Sequence, residues 1–165
     1  MRLGRVLRHL FSGPWLVRGY FPKRSLDAIE EAIRKSEVTH RGELRFAVEA
    51  AIEWRPLFRG QTARQRAIEV FSQLRVWDTE ENSGVLIYLL LADRDVEIVA
   101  DRGIDARVGA AEWERICKEM ESLFRQGRFE EGVVTGIAAI TEHLARHFPA
   151  RKGDQNELPD RPVVL

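Results

Sequence analysis

A single cysteine, Cys117, leaves no room for an internal disulfide or a CxxC metal pair. Its place on a helical stripe suits a buried apolar residue better than a nucleophile, and no arginine stands where a cysteine-phosphatase loop needs one. No GxxxxGK[ST] loop, no GxGxxG turn and no GxSxG elbow occurs, so nucleotide, dinucleotide and serine-hydrolase signatures are missing, and neither a nucleotide nor a redox cofactor is expected. No apolar run approaches the length of a transmembrane helix, and the N-terminus lacks the unbroken apolar stretch of a secretion signal. The expectation is a cytoplasmic protein. Acidic residues are absent from positions 1–26, which carry Arg2, Arg5, Arg8, Arg18, Lys23 and Arg24. Over the whole chain 26 basic and 26 acidic side chains cancel, which argues against a general polyanion binder and against nucleic acid as a partner. What is present is a globular composition, 44% apolar and 32% charged, at a length that fits one domain with a proper core.

The pattern along the chain reads helix, strand, helix, strand, strand, helix, helix. The first eleven residues place Leu3, Val6, Leu7, Leu10 and Phe11 on one helical side, an arc of about 140°, with Arg2, Arg5, Arg8 and His9 on the other. Such a basic amphipathic helix suits an anionic membrane, a partner, or its own domain. "SGPW" then breaks it. Ser25 can cap a helix to about residue 36, with Leu26, Ile29 and Ile33 inward. "GELRFAVEA" alternates as a half-exposed strand does, Leu44, Phe46 and Val48 on one side and Glu43, Arg45 and Glu49 on the other. Thr62 and Gln65 make a capping box for a helix that turns Ala63, Ala67, Phe71 and Leu74 inward. "GVLIYLLLA" (84–92) is apolar on both faces, as a central strand is, and "VEIVA" returns beside it. Two helices follow, on the stripes Trp113–Ile116–Met120–Phe124 and Val133–Ile137–Ile140–Leu144, with Gly132 and Gly136 placed for close helix contact. A strand–helix–strand unit implies parallel strands with a right-handed crossover. The expected fold is a three-layer α/β/α sandwich around a small mixed sheet, a parallel βαβ unit plus a hairpin. Its expected organisation is a basic amphipathic segment over 1–24, a domain over 25–148 and a loosely attached polar tail over 149–165.

Topology also indicates a site. If strands 43–50 and 84–92 are parallel, their starts lie at one end of the sheet, and the hairpin brings 96–101 back to it. Glu37, His40 and Glu43 then approach Asp78 and Asn82, and the loop "DRGIDARVG" adds Asp101, Arg102 and Asp105. Gathered carboxylates repel unless protons, arginines or a cation compensate, and oxygen-rich clusters suit Ca²⁺ or Mg²⁺. The competing reading is a solvated rim balanced by Arg41, Arg102 and Arg107. The opposite end, with Trp54, Arg55, Asp93, Arg94 and Asp95, is where open α/β sheets usually bind ligands. It offers only a tight turn and no glycine-rich loop, so it ranks second.

The segments "SEVTHRGELRF", "NSGVLIYLLLADR", "VEIVADRGI" and "FRQGRFEEGVVTGIAAI", within residues 25–148, together resemble the TPM domain, named for thylakoid lumen, photosystem II repair and worm receptor-modulator proteins, in a bacterial branch. The resemblance implies an α/β/α sandwich, divalent-cation binding in some members, an acid phosphatase activity attributed to a plant relative, and assembly roles in others. The family's usual "GYGLEG" loop is "DRGIDA" here, keeping Gly103 and placing Asp101 where a glycine is usual. The expected function is a binding, assembly or regulatory module associated with membrane proteins. Asp101, Asp105, Asp78 and Glu43 are its candidate cation ligands, and Glu37, His40, Asn82 and Arg102 stand near. Arg2, Arg5, Arg8, Leu7 and Phe11 are its candidate contacts with a partner protein or, weakly, with the inner face of an anionic membrane. The alternative is a weak metal-assisted acid phosphatase in which Asp101 or Asp105 holds the cation and Arg102 neutralises charge.

Overall fold

The computed structural model describes residues 3–153 and 156–165. In chain order its elements are α1 (Leu3–Leu10), α2 (Pro14–Tyr20), α3 (Lys23–Glu37), β1 (Glu43–Glu49), α4 (Trp54–Phe58), α5 (Ala63–Gln73), β2 (Gly84–Leu90), β3 (Asp95–Ala100), α6 (Arg102–Val108), α7 (Ala110–Arg125), α8 (Phe129–His147) and β4 (Val163–Val164). The sheet runs β3-β2-β1-β4. β1 and β2 are parallel from Glu43↔Gly84 to Glu49↔Leu90, and β3 returns antiparallel beside β2. The parallel βαβ unit, the hairpin and the three layers are as the sequence implies.

Two-residue periodicity divides the core between the faces of the sheet. Phe46, Ile87 and Leu89 join α3, α7 and α8 on one side, while Ala47, Leu86, Tyr88 and Leu90 join α5 on the other. Thr62 caps α5 through the expected reciprocal box with Gln65. Gly132 and Gly136 face Phe124 and Met120, so the last two helices close against each other without a Cβ between them.

Four local expectations are corrected. Ser25 does not cap α3; the helix starts at Lys23 after Pro22, and Ser25 is buried within it. The loop after β3 is instead the short helix α6, which Asp101 caps and Gly109, at φ 88°, separates from α7. β1 is buried on both faces because its charged side chains find partners there. Glu49 accepts from Arg66 at 2.8 Å and from the Tyr88 hydroxyl at 2.6 Å, and Arg45 donates to the Pro159 carbonyl. The tail is also tied down, since β4 pairs parallel with β1 at Ala47↔Val163 and Val48↔Val164.

Candidate functional site

The register brings the starts of β1 and β2 and the end of β3 to one end of the sheet. There the Asp101 N–H donates to the Gly84 carbonyl at 2.8 Å, and its Oδ1 accepts from the Arg102 N–H at 2.7 Å. Oδ2 is buried with no hydrogen-bond partner among the described residues. Asn82 adopts a left-handed φ of 53°, and its carbonyl accepts from the Ile104 N–H. Gly103 passes so close that a Cβ would sit 2.5 Å from the Asn82 carbonyl oxygen, a physical reason for glycine in this loop. His40 is buried, with Nδ1 2.9 Å from the Gly42 carbonyl; burial, only partly offset by that bond, lowers it to about 4, and the ring is uncharged at neutral pH.

Of the other carboxylates, Glu37 and Glu43 stay within electrostatic reach of each other, while Asp78 and Asp105 go separate ways. Glu43 is buried and accepts the Glu157 and Leu158 N–H groups of the tail at 2.9 and 3.2 Å; burial outweighs those bonds and pushes it up to about 7. Half-buried Glu37 accepts from the Asn156 amide, and burial, then the Glu43 and Asp160 charges, push it up to about 9. Asp78 is exposed beside Arg75 at 3.9 Å. Asp105, one turn into α6, accepts from Trp113 Nε1 at 2.9 Å and borders a different cavity with Arg64 and Asp95. Arg102 points to solvent. The parallel register gathers the backbone but only some of the side chains: Glu37 and Glu43 stay together under the tail, the α6 helix turns Asp105 aside, and Asp78 stays on the rim. Among the described residues no three His, Cys, Asp or Glu side chains are grouped to hold a metal ion. Ser83 is buried, and burial pushes the Cys117 thiol up to about 12, so neither is poised as a nucleophile.

The opposite end is built by α1, α4 and the β2–β3 turn. Arg94, at φ 54°, completes that turn, and Asp93 in it receives α1. Arg5 donates to Asp93 Oδ2 through Nε at 2.9 Å, and His9 Nε2 lies 3.1 Å from Oδ1 while His9 Nδ1 accepts the Ile52 N–H. Burial would raise the Asp93 carboxyl, but the hydrogen bonds and charges of His9 and Arg5 outweigh it and hold Asp93 well below the ordinary range. Arg8 reaches the Ala92 carbonyl, and Arg2 lies outside the described residues. α1 thus docks by its basic side and leaves Leu3, Leu7, Leu10 and Phe11 between 45 and 75% exposed. Trp15, Trp54 and Phe58 are likewise exposed, and Arg55 stacks over Trp54 at 5.0 Å. Sequence reasoning placed Trp54 at this end but missed Trp15 and Phe58. The signal was the four-residue spacing of Trp54 and Phe58 in "EWRPLF", which puts both on one side of a helix.

A β-α-β core with helices on both faces defines a small α/β/α sandwich. Residues 18–143 match the model of the TPM domain. The chain belongs to the TPM-domain family. No curated protein matches it. Among solved structures it resembles the BA42 protein of the psychrophilic bacterium Bizionia argentinensis at 32% identity and a TM-score of 0.75, over 86% of this chain and 93% of that one. It also shares its fold with the N-terminal domain of a protein from P. gingivalis, at 20% identity and a TM-score of 0.59, over 74% of this chain and 76% of that one.

Proposed function

We propose that this TPM-domain protein is a docking and assembly module that meets anionic membrane surfaces, where its protein partners reside, through the apolar side of α1. The observation behind this reading is the row Leu3, Leu7, Leu10 and Phe11, held outward by a helix whose basic side is anchored to Asp93. Full burial of one such side chain is worth about 1.5–3 kcal/mol, so four are enough for reversible attachment. Arg18, Arg55 and Arg59 on the neighbouring helices are exposed, and cations close to an anionic surface add about 1 kcal/mol each. No helix among the described residues is long and apolar enough to cross a membrane, so contact would be peripheral. The alternative, a weak metal-assisted acid phosphatase, would need a cation cage and an activated nucleophile, and nothing in the site described above favours it.

Co-sedimentation with vesicles of phosphatidylglycerol and phosphatidylcholine tests the reading. The full chain should sediment at low salt and less at high salt. The double variant Leu7→Glu, Phe11→Glu should remain soluble with an unchanged melting temperature, since both side chains already face solvent. A chain that never sediments, or a double variant that sediments as well as the parent, overturns it.

A further inference from the structure

Next to this apolar end is a cavity of about 470 Å³ between α2, the start of α3 and β4. Val17 and Phe21 are buried in the core and form its floor, and Leu26 and Val164 line it. Its only charged lining residues among those described are Arg18 and Lys23, both exposed. Lys23 holds Asp27 at 2.7 Å, while Arg18 has no hydrogen bond or ion pair among the described residues. Ligand pockets are commonly apolar concavities in which a few polar groups fix orientation. Here the polarity has one sign and sits on exposed side chains, so the complementary ligand is long, apolar and anionic at one end. α2 follows α1 after a three-residue break, with exposed Trp15 in its first turn. A bilayer touching α1 would thus present its lipids at the mouth of the cavity.

We propose that this cavity admits one acyl chain of an anionic membrane lipid, with the head group held by Arg18 and Lys23. The proposal rests on the membrane-docking reading above but makes a separable claim, that one chain leaves the bilayer and enters the protein. Guanidinium forks pair with phosphate through two parallel hydrogen bonds, which gives Arg18 the larger share of head-group recognition.

The experiment is isothermal titration of the full chain with monomeric lysophosphatidylglycerol below its micellar concentration, beside the vesicle assay. The parent should bind saturably with one site. Leu26→Trp, which fills the cavity, and Arg18→Glu, which reverses charge on an exposed position, should each weaken binding at least tenfold. The Leu7→Glu, Phe11→Glu variant should bind the monomeric lipid as the parent does while failing to sediment with vesicles. Saturable binding without vesicle sedimentation would uphold the cavity and sink the docking reading. Sedimentation without monomer binding, or binding unchanged in both cavity variants, would overturn the cavity and leave the docking reading standing.

Discussion

Replacing Asp93 by alanine should release α1 from the domain without unfolding the sheet. The Asp93 side chain is 12% exposed and collects three basic groups of unequal value. Arg8, at 3.4 Å and 60% exposed, adds little, since solvated pairs are worth about 0–1 kcal/mol. Arg5 makes a partly buried, charge-assisted contact through two nitrogens at 2.9 and 2.8 Å, worth about 1.5–3 kcal/mol. His9 is 1% exposed with Nε2 3.1 Å from Oδ1 but outside hydrogen-bond geometry, so its share is smaller than that of Arg5. Allowing for relaxation, the loss is about 2–4 kcal/mol, concentrated on one short helix otherwise held by Val6 in the core, by Arg8 on the Ala92 carbonyl and by the Ile52 N–H on His9. Amide hydrogen exchange is the assay, because it resolves local opening from global unfolding. In Asp93→Ala the amides at the end of α1 should exchange roughly 30- to 1,000-fold faster, with those of β1 and β2 little changed. Asp93→Asn, which keeps an acceptor in the same turn, should fall between. Unchanged α1 protection in Asp93→Ala would refute the argument that this carboxylate orients the helix.

Two further outcomes concern the other end of the sheet. Glu43 and Glu37 are raised from 4.5 to about 7 and about 9, so between those limits the folded chain holds protons that the unfolded chain has released. Their contribution is complete below about 4.5 and is lost as pH rises through the folded values. The urea midpoint should therefore fall from about pH 7.5 to 9, where His40 is essentially uncharged in both states, and Glu37→Gln should flatten that fall; a midpoint that climbs over this range would contradict it. Gly103→Ala forces a Cβ to 2.5 and 2.6 Å from the Asn82 and Glu81 carbonyl oxygens, an overpacking cost of about 1–3 kcal/mol, or roughly 2–12 °C in a thermal melt. Gly4→Ala, whose Cβ would meet nothing within 4 Å among the described residues, is the control and should not lower it.

Features written in local patterns were legible. The Thr62–Gln65 box, the double-faced apolar strand at β2 and the glycine pair of α8 depend on residues a few positions apart, and each appears where the sequence places it. Features that depend on distant partners were not. Alternation in β1 reads as one wet face, yet Glu49 is covered by Arg66 and Tyr88, 17 and 39 positions away. Asp93 looks like an ordinary turn residue until Arg5 arrives from 88 positions upstream. Topology correctly brought the strand ends of the candidate site together. The side-chain directions were set by neighbours no spacing rule could supply: Trp113 for Asp105, and the tail amides for Glu43.

The joining of β4 to β1 also dictates an order of events. Glu43 and Arg45 meet their tail partners across gaps of 114 residues, so β1 leaves the ribosome long before the segment that closes its outer edge exists. Through that interval the two side chains are a solvated cation and anion on an open strand, the kind of charge that discourages edge-to-edge pairing between nascent chains. Only when residues 156–165 arrive do the same groups turn from guards into fasteners. Substituting either by an apolar residue would therefore raise the hazard of aggregation during synthesis even where the finished fold tolerated the change.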